Sequence, residues 1–253
     1  MRKLSSIILG LVLIVSFVQK VQAQAQQKAV SLFAQAEMAY KQGDYVTAIK
    51  EYEEILQSNL ESGALYFNLA NSYYKKGELG KAILNYERAQ RLWPRDSDVN
   101  FNYHYALAQV KDGQQEKPLS FFERFLEAEQ HFYSMDEMAG IITILFILLG
   151  LGHILSLYLK WTLKLKRLMV TVLVTLLSLY GMGFVSRFQK EENAAVSLNE
   201  SEAKFEPRLE ATTYFKLPVG EQVKILKQED EWVKIRRNDG KMGWVKEGML
   251  EKI

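Results

Sequence analysis

Gly43 to Leu56 reads GDYVTAIKEYEEIL, and Gly77 to Gln90 reads GELGKAILNYERAQ. Laid over one another at a shift of 34 positions, Gly43 falls on Gly77, Ala48 on Ala82, Ile49 on Ile83 and Tyr52 on Tyr86. Each stretch opens at a helix-breaking glycine and then runs with helical spacing. Between them ALYFNLANSYYK, Ala64 to Lys75, forms an amphipathic helix of its own, and Pro94 closes the unit. A self-similar period of this length is the mark of a helix-turn-helix array, in which each unit buries its apolar face only by stacking on the next.

The small residues Ala70 and Ala82, the aromatics Tyr66, Tyr73 and Tyr86, and the terminal Pro94 resemble the tetratricopeptide repeat. A first, looser repeat begins near Leu32, with Ala36 and Ala39 at the positions of Ala70 and Tyr73 and Leu60 where proline is expected. A third unit begins at Asp98, where Phe101-Asn102 follows Phe67-Asn68 by 34 residues, but it runs into Lys111-Asp-Gly113. Two repeats and a capping helix are therefore expected over residues 28–115. The resemblance puts Asn68, Asn71, Tyr74, Asn102 and Tyr105 on the concave face lined by first helices, where such side chains can bond an extended peptide. Bracing of the repeats themselves is the competing role for the asparagines. Phe33 and Glu37 stand where a basic clamp for terminal carboxylates would place Lys and Asn.

Outward from the repeats the composition changes. Arg2 and Lys3, the apolar run Ile7 to Val18, and Val21-Gln22-Ala23 are the three parts of an export signal over residues 1–23, with Ala23-Gln24-Ala25 as a second cleavage site and an uncleaved anchor as the alternative. Met138 to Leu159 and Leu168 to Val185 carry His153 as their one ionisable residue, and at 1.5 Å per residue such stretches cross a hydrocarbon core of ~30 Å. The link between them, residues 160–167, holds Lys160, Lys164, Lys166 and Arg167 with no acidic residue, which places it in the cytoplasm and both termini outside. His153 without a carboxylate partner is poor machinery for proton transport. Gly152 and Ser156 give the first span a small-residue face suited to close helix packing.

Residues 118–134, from Pro118 to Ser134, read as an amphipathic juxtamembrane helix suited to the headgroup layer. Glu127 and His131 within it could face one metal, but two ligands do not make a site. Over residues 194–253 the period falls from 3.6 to 2: QVKILK from Gln222, WVKIR from Trp232, then the Asn238-Asp239-Gly240 turn into KMGWV. This segment resembles the bacterial SH3-type barrel, with Val196 to Leu198 as first strand and Glu200 to Tyr214 as a long loop. Trp232 and Trp244 are either barrel core or the floor of a groove.

The expected fold is thus multidomain: an all-α tetratricopeptide-repeat solenoid, two transmembrane α-helices and an all-β SH3-like barrel. With 32 basic and 30 acidic residues the charge is balanced, which argues against nucleic acid, and the absence of cysteine excludes disulfides, thiolate metal sites and a cysteine nucleophile. No phosphate loop, nucleophile elbow or metal-ligand set occurs, so neither cofactor nor enzymatic activity is expected.

The module order resembles the BatE-type proteins of aerotolerance operons. That resemblance implies a scaffold in a bacterial inner-membrane complex that helps cells withstand oxygen or envelope stress, its N- and C-terminal domains in the periplasm. It further implies von Willebrand factor A-domain membrane proteins and an AAA+ ATPase as partners. The alternative is a peptidoglycan-binding module that recruits a hydrolase.

Overall fold

Two glycines in the left-handed region set the first turns: Gly43 at φ +81° and Gly77 at φ +87°. At each, the glycine N–H donates three residues back, to the carbonyls of Tyr40 and Tyr74. The next N–H, of Asp44 and Glu78, donates five back, to Ala39 and Tyr73. These bonds satisfy carbonyls left open at a helix end, and glycine reaches the conformation without a Cβ penalty. The 34-residue period is thereby realised down to individual hydrogen bonds.

The structure, a computed structural model, describes residues 2–110, 132–159 and 162–253. Two compact units divide it, one ending at Glu78 and one beginning at Leu79. The first unit is three helices, α1 (Arg2–Lys41), α2 (Tyr45–Gln57) and α3 (Gly63–Lys76). Helix α1 runs without a break through the expected cleavage region. Asp44 caps α2 by accepting from the Thr47 N–H at 3.1 Å, and Ser62 caps α3 by accepting from Leu65 at 3.1 Å. Ala36, Ala48 and Ala70 are fully buried, as close helix approach requires. Tyr52 fills the space beside them, its ring edge-on to Phe33 at 5.4 Å.

The second unit begins with α4 (Leu79–Leu92) and α5 (Ser97–Ala108). The turn between them is held by Asp96, whose carboxylate accepts from the Asp98 and Val99 N–H groups, and by Asn100, which donates to the Pro94 carbonyl at 3.0 Å. The expected amphipathic helix falls largely outside the described residues, as do Lys111-Asp-Gly113, Glu127 and His131.

Helices α6 (Met135–Tyr158) and α7 (Leu163–Glu192) follow. Both are long and apolar enough to cross a membrane, over Met135–Ser156 and Leu163–Phe188. Ser134 and Glu137 form a reciprocal capping box at the start of α6, which is why this helix begins at Met135, before the apolar run does. Helix α7 begins inside the expected link, with Thr162 accepting from the Leu165 N–H at 3.4 Å, so Lys164, Lys166 and Arg167 ride on its first turns. The small-residue face of α6 is turned to α7. A Cβ on Gly152 would stand 2.8 Å from the Met169 sulfur, and Ser156 is buried with its hydroxyl bonded to the His153 carbonyl.

After α7 the chain forms seven antiparallel strands: β1 (Ala194–Ser197), β2 (Ser201–Lys204), β3 (Thr213–Leu217), β4 (Gln222–Glu229), β5 (Trp232–Arg237), β6 (Met242–Lys246) and β7 (Leu250–Lys252). Their order is β3-β2-β6-β5-β4-β1-β7. The sheet is open, with β3 and β7 at its two ends, where a closed barrel was expected. Instead of meeting β3, strand β7 is met by α4, through the contacts described below. The expected long loop over Glu200 to Tyr214 also differs, because it carries β2, whose Ala203 pairs with Phe215 and is fully buried. Strict alternation on β5 sends Val233 and Ile235 into a core with Ala195, Phe215, Leu217, Val223 and Val245, and sends Trp232, Lys234 and Arg236 to the opposite face.

Candidate interaction surfaces

The five polar residues expected on a peptide-binding face fall in both units. Asn68, Asn71 and Tyr74 lie on α3, all half-buried, and their spacing puts them on one side of that helix. Between them Ser72 is fully buried and its hydroxyl donates to the Asn68 carbonyl at 2.8 Å, a bond inside the helix. On α5, Asn102 is half-buried and Tyr105 exposed. The Tyr105 ring is stacked on that of Phe101, which is also exposed, with centroids 6.2 Å apart and planes 14° from parallel. Such a flat aromatic pair on a helix surface is an apolar platform beside hydrogen-bonding groups.

Trp232 and Trp244 stand on the sheet face opposite the core. Register pairs Trp232 with Lys246 and Lys234 with Trp244, so rings and ammonium groups alternate between the two strands. The Lys246 nitrogen lies 5.9 Å from the centre of one Trp232 ring, and the Lys234 nitrogen 5.7 Å from that of Trp244, both within cation–π range. The two tryptophans are only 6 % and 7 % exposed. What this face presents outward is therefore mostly the lysine side chains.

A third surface had no counterpart in the sequence reading: the seam between α4–α5 and the sheet. Gln222, the first residue of β4, donates both amide hydrogens, one to the Glu87 carboxylate and one to the Tyr103 hydroxyl at 2.9 Å. Glu87 is only 7 % exposed, and its charge is further met by Arg91 at 3.4 Å, which is what a buried carboxylate requires. Burial and the neighbouring Glu87 charge push the Tyr103 hydroxyl well above the usual tyrosine range, opposed by Arg91 and the Gln222 bond.

Beside this cluster Arg88 pairs with Glu251 at 3.1 Å and donates to the Lys252 carbonyl at 2.6 Å. Two glycines let the surfaces close. A Cβ on Gly80 would fall 2.2 Å from the Leu198 carbonyl oxygen, and one on Gly220, at φ +73°, would fall 2.2 Å from the end of Ile83. One local signal was available for this seam: Glu87 is a charge placed four residues after Ile83 on an otherwise apolar stripe.

A tetratricopeptide repeat model matches residues 33–97, and a bacterial SH3 domain model matches residues 205–251. No curated protein matches the chain. The repeat match covers α2 and α3 and runs on through α4. The SH3 match begins after β2, so β1 and β2 lie outside it. Among the described residues no group of three metal-ligating side chains occurs.

Proposed function

We propose that this chain is a non-catalytic membrane scaffold, anchored by α6 and α7, that presents a repeat array and an SH3-type module together on the periplasmic side. One observation carries the reading. The helices α4 and α5, which precede α6, are bonded to a sheet that follows α7. Two modules in contact have to lie on one side of a bilayer, and two crossings return the chain to the side it left. The basic residues around Lys164 support reading that side as non-cytoplasmic, because positive charge is retained in the cytoplasm.

Both matched modules are of types that typically bind rather than catalyse, and their order along the chain resembles that of the BatE-type proteins. On this reading the partners are von Willebrand factor A-domain membrane proteins, with an AAA+ ATPase across the membrane. The complex would serve tolerance of oxygen or envelope stress. Asn68, Asn71, Tyr74, Asn102 and Tyr105 are the proposed peptide-binding residues. The second reading, peptidoglycan binding, is favoured by the SH3 match together with the tryptophan–lysine face of β5 and β6.

Detergent-solubilised, tagged protein purified from its own membranes distinguishes the two. Recovery of A-domain proteins with no retention on purified wall sacculi is expected. Retention on sacculi without membrane-protein partners would replace the scaffold reading with the wall-binding one.

A further inference from the structure

The turn between α4 and α5 reads Leu92-Trp93-Pro94-Arg95-Asp96. It is tied to the start of α6. Arg95 donates to the Phe132 carbonyl at 2.8 Å and grips the Glu137 carboxylate with both terminal nitrogens, at 2.5 and 3.2 Å. Its guanidinium also lies 5.1 Å from the centre of the Phe132 ring. From the other apolar helix, the buried Arg187 donates to the Tyr133 carbonyl.

These bonds fix a level. Glu137 to Tyr158 rises ~30 Å along the helix, the full thickness of a hydrocarbon core. If α6 spans, Glu137 therefore sits where the hydrocarbon begins. Arg95 is held within one side chain's reach of that point, and Trp93 is two residues away. The turn and the segments bonded at the start of α6 carry exposed apolar side chains: Leu92, Trp93 at 42 %, Phe132 and, beside Arg187, Phe188. The turn and Glu137 also border an open surface hollow of about 350 Å³ lined by Leu92, Trp93, Pro94, Arg95 and Asp96. Tryptophan and phenylalanine beside arginine at this depth are the composition of a membrane–water interface, where an amphipathic ring keeps one end apolar and one wet.

We infer that the Leu92–Asp96 turn is a second membrane contact, with Leu92 and Trp93 seated in the headgroup layer of the bilayer that α6 and α7 cross. The contact holds the α4–α5 pair down on the membrane surface. This inference rests on the reading that the two helices span, and the test separates the two.

The chain contains no cysteine, so a single introduced one takes a single label. Full-length protein carrying a polarity-sensitive fluorophore at Leu92→Cys, Ile147→Cys or Asn238→Cys is reconstituted into phosphatidylethanolamine–phosphatidylglycerol vesicles. Quenchers are placed at the headgroup, at the acyl-chain end, or in the water. The expected pattern is loss of emission to the headgroup quencher for Leu92, to the chain-end quencher for Ile147 in mid-helix, and to aqueous iodide for Asn238 in the β5–β6 turn.

A Leu92 label quenched only from water, with Ile147 buried, overturns the inference and leaves the spans standing. An Ile147 label quenched from water overturns both. Should Leu92→Cys lose its fold, Trp93→Cys, the other side chain proposed to sit in the headgroup layer, is labelled instead and read against the same quenchers.

Discussion

Gly80 has no side chain, and the space one would need is already filled by the backbone of Leu198. Two effects of Gly80→Ala oppose each other. Alanine gains up to ~1 kcal/mol over glycine in a helix, while a Cβ forced against backbone costs ~1–3 kcal/mol. A backbone atom cannot swing aside as a side-chain end can, so the second effect should win. Gly80→Ala is expected to lower the melting point of the detergent-solubilised chain and to speed protease cutting between Ser197 and Glu221. A raised melting point would mean that the sheet does not rest on α4 as described. At the same scale lies the reason the partners across the seam were illegible in the sequence, even though Glu87 marked one side of it. Gln222 reads as an ordinary first residue of a strand, and its partners Glu87 and Tyr103 stand 135 and 119 positions earlier. No local periodicity connects such distant residues.

At the scale of elements the helices were legible, because their signals are local. Glycine at the turn, a capping side chain and apolar residues at helical spacing all fall within a few positions of one another. Ser62 illustrates the weight such a signal carries. It sits in extended backbone and accepts the Leu65 N–H at the start of α3. Ser62→Ala removes that bond and should cost ~1 kcal/mol of local stability, which makes the first-turn amides of α3 exchange roughly fivefold faster by hydrogen–deuterium exchange. Unchanged exchange would show that the turn is held from elsewhere. Strand β2 escaped notice for the converse reason. Ser-Glu-Ala-Lys lacks both alternation and β-branched residues, and only its pairing with β3 and β6 makes it a strand. Whether the sheet closes is likewise set by which strands meet across its ends, and nothing within a single strand encodes that.

For the whole molecule, the seam and the two apolar helices constrain one another, since contact between α4 and the sheet is incompatible with an odd number of crossings. A reporter active only in the periplasm should work when fused after Ile253 and fail when inserted beside Lys164. The opposite pattern would invert the orientation while leaving the contact intact. Activity at both positions would exclude α6 and α7 as a membrane hairpin. Of the candidate residues, Asn68, Asn71 and Tyr74 share one side of α3, as their spacing of three in the sequence implies. For Trp232 and Trp244 the sequence left core and groove floor both open, because alternation within a strand gives neither which face is packed nor how far neighbours cover a ring.

The seam also has a consequence in time. Arg88 meets Lys252 across 164 positions of chain, and both apolar helices are made in between. At ~5–20 residues per second, roughly eight to thirty seconds separate the two ends on the ribosome. For most of that interval Ile83, Glu87 and Tyr103 have been synthesised, while Gly220 and Gln222, which meet them, have not. The newborn protein therefore passes through a stage with a wet carboxylate and a bare apolar strip, and maturation ends only when the last strand arrives.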